Sequence, residues 1–550
     1  MARPTRYTQA MMDEYVARGL WDAATLADTY DRNAQEFADK EAFVDSRRRV
    51  TWRELGRMID RIALGFLELG LQKDQAVISH LPNCIEDVAL RMGLEKAGVI
   101  HVTAPMTLGE AELGHFLRQT EAVAACTAWE YHGTDRYELF QRLRSRHPHL
   151  RHIIVVGDRV PEGATSLEEM IQTPREERYP PGYLARTKFS AFEVSHLKGT
   201  TGTTGMPKLC EIVINADKLQ GLHAIQKLKI TGEDVGLLLI PTWAGASTPM
   251  IDSLPPVAGK VVLMETFDAE GALELIQRER VTYIVGFPVH VVRMMRHPSL
   301  VRHDLRSLRL VHTVGAFLTA TAEEVEERFG APWVNGYGAV DGRANIYPSV
   351  DAPRDVRHRT VGSAASWDEL RILDENKRPM PRGEVGEIHW RGASGAGGYY
   401  RDPELTRQAW GELGPGGFYN CKDLGRLDED GNLILMGRRE DIINRGGQNI
   451  YPTEVESLIG AHPKVQETCV VAMPDPELGE RACAFVVPRE GEEITFQEMV
   501  DFLLERRIAK FKLPERLELR RELPLAGPGK VNRKALEQEI AQTLRDSEEV

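Results

Sequence analysis

A loop dense in glycine and threonine offers the clearest chemistry in the sequence. It runs Gly199-Thr-Thr-Gly-Thr-Thr-Gly-Met-Pro-Lys208 and follows an apparent strand. Backbone N–H groups and threonine hydroxyls can donate to phosphate oxygens, glycine permits close approach, and Lys208 supplies positive charge. The loop is not a P-loop, because Leu209 stands where a magnesium-binding Ser or Thr would follow the lysine. We expect a phosphate-binding loop of another kind, with a flexible linker as the alternative.

The same residues, Thr200-Thr-Gly-Thr-Thr-Gly-Met-Pro-Lys208, resemble the phosphate loop of the adenylate-forming superfamily. That superfamily includes acyl-CoA synthetases, aryl-acid adenylating enzymes, nonribosomal adenylation domains and luciferases. Its other motifs follow in the same order over almost the whole chain. The resemblance, which is greatest to CoA ligases of cyclic carboxylates and to dihydroxybenzoate-AMP ligases, implies an enzyme that activates a carboxylic acid with ATP.

Two segments resemble the family's adenine-binding region. By that resemblance Tyr337, in Asn335-Gly336-Tyr337-Gly338-Ala-Val-Asp341, stacks on adenine, and Asp341 takes the place of the usual magnesium-binding glutamate. Val340 replaces a threonine that commonly contacts the nucleotide phosphate. Upstream, Val314-Gly315-Ala316-Phe317 resembles the stretch that lines adenine and the acyl pocket.

The motifs around the predicted hinge resemble the family's ribose site and thiol tunnel. Asp423 is the predicted ribose anchor, because a carboxylate can accept hydrogen bonds from both ribose hydroxyls, and Arg438 also approaches the ribose. Glu440 occupies the hinge position, although a plain salt-bridge role is also open. Gly446 and Gly447 match a loop that lines the pantetheine tunnel, where glycine leaves room for a thin thiol arm; a simple turn before a helix is the alternative.

The segment Leu523-Pro-Leu-Ala-Gly-Pro-Gly-Lys530 resembles the motif that carries the family's adenylation lysine. The predicted catalytic residues are therefore Lys530, Lys208 and Asp341, with Asp341 as the metal ligand. The predicted cofactor-binding residues are Thr200, Thr201, Gly202, Thr203, Thr204, Gly205, Gly315, Ala316, Asn335, Gly336, Tyr337, Gly338, Asp423, Arg438, Gly446 and Gly447.

An apolar segment, Ile240-Pro-Thr-Trp-Ala-Gly-Ala-Ser-Thr248, is expected to line the acid pocket through Trp243, Ala244 and Gly245, together with Phe287 and Gly315. Relatives often have a histidine near Ala244, and the catechol-specific ones have an asparagine near Gly245. Their replacement here favours an apolar ring or a short aliphatic acid over a dihydroxybenzoate. Trp243 could equally be an ordinary core residue.

The implied cofactors are ATP, Mg²⁺ and coenzyme A, and the partners are a small carboxylic acid, ATP or AMP, and CoA. A carboxylate is a poor electrophile, and bringing it against a polyphosphate requires screening of like charges. Lys530, a metal near Asp341 and the loop at 200–208 would supply that screening. In relatives the small C-terminal domain then rotates, so that Lys530 leaves and the glycine loop enters before thiol attack.

The length of 550 residues exceeds what one hydrophobic core supports, so at least two domains are expected. Apolar stretches alternate with helical patterns, which favours an α/β architecture (α+β overall) with largely parallel sheets. We predict a large adenylation domain at 1–437 of layered sheets flanked by helices, with a β-barrel-like subdomain. A small mobile α+β lid is predicted at 438–550, with the hinge near Glu440.

Individual elements can also be predicted. A capping box at Thr51–Glu54 begins an amphipathic helix that ends at Gly70, and a second helix is expected near Phe496–Arg507. The remaining tail looks polar. The predicted strands are Gln75–His80, His152–Val156, Gly236–Ile240, Lys260–Met264, Thr282–Val285, Leu308–Val314, Leu370–Asp374, Gly386–Arg391, Asn432–Met436, Val465–Met473 and Arg481–Val487.

Composition narrows the class of protein. The net charge is −13 without a long basic run, so no nucleic-acid partner is predicted. The six scattered cysteines argue against a zinc site and a disulfide framework and fit a reducing cytosol. The N-terminus lacks a signal-peptide core, and no apolar run reaches about 18 residues. We expect a cytoplasmic monomer or homodimer with no membrane partner.

Three functions remain open. The first is a CoA ligase for a cyclic or medium-size apolar acid. The second is a stand-alone adenylating enzyme that loads a carrier-protein thiol; the sequence contains no Gly-Gly-x-Ser attachment site of a fused carrier, which favours CoA. The third is a degenerate nucleotide- or acyl-binding protein, suggested by Val340, Asp341 and Ala526. Retention of the predicted nucleotide-site residues Lys208, Asp423, Arg438 and Lys530 argues against the third.

Overall fold

The computed structural model describes residues 3–157, 159–200, 206–315, 319–412, 416–527 and 530–548. It shows a mixed α/β protein in which a large N-terminal part of sheets and helices precedes a smaller C-terminal part, so the predicted fold class is confirmed. Every predicted strand is present with ends within two residues of the predicted ones.

The first sheet carries the strand that contains Tyr337. It has eight strands, and its pairs are parallel except at the two edges. In spatial order the strands are Ala344–Ile346, Trp333–Ala339, Leu310–Val314, Tyr283–Gly286, Val235–Leu238, Lys260–Leu263, Glu41–Val44 and Arg49–Thr51.

The second sheet carries both ends of the predicted phosphate loop. It also has eight strands, antiparallel only in the two pairs at the edge nearest the loop. In spatial order they are Gly398–Tyr399, Leu209–Val213, Val194–Gly199, Ile100–Thr103, Ala76–His80, Ala124–Ala128, His152–Val156 and Thr165–Ser166.

Two antiparallel sheets follow along the chain. The third sheet is formed by Asp368–Leu373, Gly386–Gly392, Tyr419–Leu427 and Leu433–Arg438. The C-terminal sheet is formed by Gln448–Ile450, Ile443–Arg445, Gly479–Pro488 and Val465–Asp475, with Arg516–Leu519 added parallel to Gly479–Pro488. Two small hairpins pair Glu130–Tyr131 with Thr134–Asp135 and Leu525–Gly527 with Lys530–Val531.

Helices cover the sheets. The α-helices are Gln9–Ala17, Leu26–Glu36, Trp52–Glu68, Ile85–Ala97, Glu110–Thr120, Arg136–Arg146, Leu167–Gln172, Ile214–Leu228, Thr248–Ile251, Ala269–Glu279, Pro288–Arg296, Thr319–Phe329, Arg354–Arg359, Pro403–Trp410, Pro452–Gly460, Phe496–Glu505 and Arg533–Glu548. Short 3₁₀ turns lie at Arg175–Arg178, Tyr183–Arg186, Gly245–Ser247, Pro255–Val257, Leu300–Arg302, Arg439–Asp441 and Lys510–Lys512.

The predicted capping box is present at the start of the helix Trp52–Glu68. The Thr51 hydroxyl accepts from the N–H of Glu54, and the Glu54 carboxylate accepts from the N–H of Thr51. Two orphan N–H groups are thereby satisfied, which fixes where the helix begins. Gly70, just past the helix, has φ +81°, a conformation that favours glycine.

The tail, which was predicted to be polar, forms the helix Arg533–Glu548, an element that was not predicted. Its apolar residues Leu536 and Ile540 are four positions apart and therefore share one helical face. Both are buried in a cluster with Cys469 and Val471 of the C-terminal sheet. The packing of this narrow face stabilises a helix whose other positions are mostly polar. Within the described residues, no helix has the length and apolar character needed to cross a membrane.

Candidate active site

The predicted phosphate loop joins two antiparallel strands, one ending at Gly199 and the other beginning at Leu209. The N–H of Thr200 donates to the carbonyl of Lys208 at 2.9 Å, which holds the two ends of the loop together. The predicted residues of this loop that lie outside the described part of the chain are Thr201, Gly202, Thr203, Thr204 and Gly205.

Asp341 lies in a tight hairpin turn at the edge of the first sheet. Ala339 pairs with Ala344, so the turn consists of residues 340–343. The Tyr399 hydroxyl donates to Oδ2 of Asp341 at 2.6 Å. Lys208 Nζ is 5.0 Å from the centroid of the Tyr399 ring. Two residues predicted as catalytic, Lys208 and Asp341, are thus brought together by a tyrosine that the sequence did not indicate.

The glycine after Asp341 permits a close aromatic contact. A Cβ placed on Gly342 would lie 2.2 Å from Cδ1 of Tyr419, so a side chain there would displace the ring. Tyr419 in turn packs on Trp410, with ring centroids 4.9 Å apart. The turn is therefore pressed against the third sheet next to the predicted metal ligand.

Arg343 anchors the end of the same turn. It has φ +57°, is buried, and forms an ion pair with Asp217, which also binds Arg91. Gln220 donates from Nε2 to the Arg343 carbonyl at 2.8 Å. Because a buried charge requires a partner, this ion pair fixes the turn against the helix Ile214–Leu228.

The predicted acid loop meets the same turn on its other side. A Cβ on Gly245 would lie 2.7 Å from Cγ2 of Val340. Gly245 and Val340, which both differ from the residues common in relatives, therefore contact each other. Val340 occupies the space that a side chain at position 245 would need.

Two polar residues that were missed hold the acid loop in place. Asn83 donates to the Ile240 carbonyl at 2.8 Å and accepts from the Thr242 N–H at 2.7 Å. The Thr242 hydroxyl donates to Asp87 at 2.8 Å. Asn83 is remote in sequence and belongs to no recognisable pattern, so no signal could have found it.

The other predicted pocket residues surround this loop. Trp243 and Phe287 are half-buried and pack against the main hydrophobic core, and Ala244 is buried. Gly315 is exposed at the end of its strand with φ +134°, and a Cβ there would contact Pro288 at 3.6 Å. Gly315 therefore lies next to Pro288, the residue after Phe287.

The predicted adenine segment is fixed by buried hydrogen bonds. Asn335 donates from Nδ2 to the Gly315 carbonyl at 2.9 Å and accepts from the Thr313 hydroxyl at 2.8 Å. A Cβ on Gly336 would lie 2.8 Å from the Tyr347 ring, so the strand packs closely there. Gly338 is exposed on the same strand, and Ala316 lies outside the described residues.

Tyr337, Asp423 and Arg438 form one polar chain. The Tyr337 hydroxyl donates to Oδ2 of Asp423 at 2.6 Å, and Arg438 Nε is 3.7 Å from Oδ1. Burial raises the pKa of Tyr337 above its ordinary value, which keeps the hydroxyl a neutral donor. Arg438 also pairs with Glu440, at 3.2 Å.

The segment that contains Glu440 is bonded to both sides of the predicted junction. Arg439 pairs with Glu387 of the third sheet at 2.7 Å, and Asp441 lies 3.6 Å from Arg533 of the last helix. Glu440 itself is largely exposed in the short 3₁₀ turn between them.

Gly446 and Gly447 form the tip of a hairpin between Ile443–Arg445 and Gln448–Ile450, and both have positive φ. They are exposed, and the Gly446 N–H donates to the Leu478 carbonyl at 2.8 Å. No contact with the nucleotide residues is found within the described part of the chain. Lys530 pairs through its backbone with Gly527, but its side chain lies outside what the structure describes.

Cysteine chemistry has little support. All six cysteines are buried and unpaired by disulfides. Burial raises the pKa of each thiol, so the nucleophilic thiolate is disfavoured. A side-chain thiol nucleophile is therefore not expected in this site.

Comparisons with known proteins identify the family of the chain. A family profile described as AMP-binding enzyme matches residues 30–400, and one described as AMP-binding enzyme C-terminal domain matches residues 454–530. The 2,3-dihydroxybenzoate-AMP ligase of Bacillus subtilis (strain 168) is 32% identical over 545 residues, 98% of each chain. The medium-chain fatty-acid–CoA ligase of Escherichia coli (strain K12) is 29% identical over 96% of this chain and 93% of its own.

A solved structure shares the fold. The anthranilate CoA ligase AuaEII, in complex with anthranoyl-AMP, superposes with a TM-score of 0.85. The alignment covers 96% of this chain and 99% of that one at 24% identity.

Proposed function

The chain belongs to the family of AMP-binding enzymes, the adenylate-forming ligases, and we propose that it activates a small apolar carboxylic acid, cyclic and either aromatic or alicyclic, with ATP. The first step forms an acyl-adenylate, which stays in the site, and releases pyrophosphate. The acyl group then passes to coenzyme A, in a sequence that is reversible in principle.

One observation carries this proposal: the contact between Gly245 and Val340. It joins the apolar acid loop to the turn that bears Asp341, while Tyr337 and Asp423 lie on and beside the strand leading into that turn. An acid in the loop and an ATP on the strand would therefore meet at this turn. Such positioning is what a displacement at the α-phosphate needs.

The residues present fit a bound Mg²⁺. Asp341 offers hard carboxylate oxygens, and both it and Lys208 contact Tyr399. Within the described residues no group of three metal ligands occurs. Mg²⁺ is commonly held by one or two carboxylates together with substrate phosphates, without a full protein cage. When bound, the ion would neutralise phosphate charge. Lys208 and Lys530 would add positive charge from the chain itself.

The apolar acid is proposed from the side chains of the loop. Trp243, Ala244 and Ala246 offer no polar group except the indole N–H, and Val340 places methyl groups against Gly245. A ring hydroxyl bound there would lose its hydrogen bonds to water without replacement, which disfavours a dihydroxybenzoate.

Coenzyme A is proposed as the acceptor because Gly446 and Gly447 leave an exposed turn without side chains, suited to a pantetheine arm. Rotation about Glu440 would bring that turn to the site. A carrier-protein thiol is the second candidate. One contact favours this candidate: Arg445, beside the turn, forms an ion pair with Glu515 at 2.6 Å. Because the Glu515 carboxylate balances its charge, Arg445 would attract the nucleotide phosphates of CoA less strongly.

The test is ATP–pyrophosphate exchange with a panel of benzoate, hydroxylated benzoates, cyclohexane carboxylate and medium-chain acids. Exchange with apolar acids above hydroxylated ones is the expected result, followed by acyl-CoA formation when CoA is added. Exchange without acyl-CoA, but with acylation of a phosphopantetheinylated carrier, would move the assignment to the second acceptor. No exchange with any acid would contradict adenylation itself.

A further inference from the structure

Asp341 is held by a specific neighbour. Its Oδ2 accepts the hydrogen bond from Tyr399, and within the described part of the chain no other group hydrogen-bonds this carboxylate. Oδ1 is thus left without a hydrogen bond from the described residues. A carboxylate on a single methylene has one torsion fewer than a glutamate, so the hydrogen bond to Oδ2 restricts its orientation.

Tyr399 is itself rigidly placed. It lies on the edge strand of the second sheet, where it pairs with Cys210, two residues beyond Lys208. Its N–H donates to the Thr406 hydroxyl at 2.9 Å, and its ring contacts Trp410 edge-on at 5.7 Å. Only 2% of Tyr399 is exposed. The Tyr399 side chain is therefore held in place while its hydroxyl donates to Asp341. The strand that pairs with Tyr399 begins directly after the phosphate loop.

We propose that Tyr399 is a positioning residue of the adenylation site, which fixes the Asp341 carboxylate so that Oδ1 can bind the metal of metal–ATP. This role rests on the proposed function and adds to it how Asp341, the proposed metal ligand, is held in place. Tyr399 couples two elements from different sheets, the strand after Lys208 and the turn of Asp341. It supplies by a fixed hydrogen bond the placement that the shorter side chain cannot reach alone.

The chemistry of the tyrosine suits this role. The phenol hydroxyl can donate, and a carboxylate oxygen accepts, so the 2.6 Å hydrogen bond to Asp341 has a defined direction. Removing the Tyr399 hydroxyl would leave the Asp341 carboxylate without this hydrogen bond, beside the edge of the remaining phenyl ring. The carboxylate could then rotate, and its affinity for a cation would fall.

The test measures metal binding directly. Mn²⁺ is titrated against the full-length protein with a non-hydrolysable ATP analogue and followed by electron paramagnetic resonance. For Tyr399→Phe we expect the apparent Kd for Mn²⁺ to rise about tenfold, the scale of a lost hydrogen bond to a charged group. The affinity for AMP without metal should stay unchanged, because Asp423 is not touched.

The matched control is Tyr400→Phe, which removes a hydroxyl from the adjacent residue that does not contact Asp341; its Mn²⁺ affinity should equal that of the wild type. Asp341→Glu in the Tyr399→Phe background should restore most of the lost affinity, since the longer side chain has its own reach. Circular dichroism reports whether each variant folds. If Tyr399→Phe does not fold, Asp341→Glu alone is measured: its apparent Kd for Mn²⁺ should stay within about twofold of the wild type, and a larger rise would overturn the proposal.

The outcomes separate the two proposals. Wild-type affinity in a folded Tyr399→Phe would overturn the positioning role while leaving adenylation intact. Equal losses in Tyr399→Phe and Tyr400→Phe would overturn it too, since the effect would then be general. A wild-type protein that binds no Mn²⁺ with the analogue, yet catalyses exchange, overturns this inference alone; absence of both overturns the proposed function.

Discussion

The hydroxyl of Tyr337 donates a 2.6 Å hydrogen bond to the carboxylate of Asp423. The two residues lie 86 positions apart and on different sheets, the first on an edge-proximal strand of the first sheet and the second on the third sheet. The ring predicted to stack on adenine therefore also orients the carboxylate predicted to hold the ribose. Arg438, 3.7 Å from the same carboxylate, completes the unit.

Tyr337→Phe should weaken nucleotide binding without changing the ring that stacks. A neutral donor to a carboxylate contributes about 1–2 kcal/mol, so the KM for ATP should rise about five- to thirtyfold while kcat falls less. Steady-state exchange kinetics and calorimetric titration with AMP measure the effect. Tyr137→Phe is the control, since its hydroxyl donates to the Glu162 carbonyl far from this unit. An unchanged KM in Tyr337→Phe would show that Asp423 needs no such support.

Local patterns allowed much of the scaffold to be predicted. The capping box at Thr51 and Glu54, and the short β-branched runs, depend on neighbours in sequence, so their elements were found within two residues. The last helix was missed because its apolar face is only Leu536, Ile540 and Leu544, too sparse to stand out among polar residues. Packing on the C-terminal sheet, which the sequence does not display, decides that element.

The site was less predictable than the scaffold. Motifs identified Tyr337, Asp341 and Asp423 by resemblance, but the partners that hold them come from distant segments. Tyr399 lies 58 positions from Asp341 in a stretch with no charged neighbour on its strand. Which strands meet is a property of topology, and single-residue patterns carry little information on it.

Gly245→Ala tests the contact that joins the acid loop to the nucleotide turn. The new methyl would lie 2.7 Å from Val340, so one of the two segments must shift. Overpacking of this kind costs about 1–3 kcal/mol, and we expect kcat/KM for the acid to fall about tenfold while the Kd for AMP stays constant. The readout is pyrophosphate exchange at varied acid concentration.

Val340→Ala supplies the matched rescue. The double variant Gly245→Ala/Val340→Ala removes the opposing methyl groups and should recover most of the lost kcat/KM. Additive losses in the double variant would mean that the two residues do not act through their contact.

Glu211 gives the protein a predictable dependence on pH. It is buried one strand position beyond Cys210, and accepts hydrogen bonds from the Thr5 N–H at 2.7 Å and hydroxyl at 2.8 Å. Burial raises the pKa of Glu211 to about 8. The folded state therefore keeps a proton that the unfolded chain releases near pH 4.5.

The sign follows from linkage. Below the unfolded pKa both states are protonated, so the contribution of the group to stability is fully present and does not change with pH. Between about pH 4.5 and 8 only the unfolded state loses the proton, so the free energy of unfolding falls by up to about 1.4 kcal/mol per pH unit. Glu211→Gln, a neutral isostere, should remove this slope. Urea unfolding of both proteins from pH 5 to 8 gives the difference; parallel curves would show that Glu211 is ionised when folded.

Lys530→Ala tests whether Lys530 acts in adenylation and not in thioester formation. If Lys530 stabilises the charge that develops during adenylation, its removal should lower the rate of acyl-adenylate formation by about 10²- to 10³-fold, the scale of one lost electrostatic contact in a transition state. Thioester formation from supplied acyl-adenylate should change less than about threefold, because by then the C-terminal part would present the Gly446–Gly447 turn. Lys534→Ala, which removes an exposed lysine four residues along, is the control. Single-turnover assays of each half-reaction separate the effects, and equal losses in both would argue against alternation of the domain about Glu440.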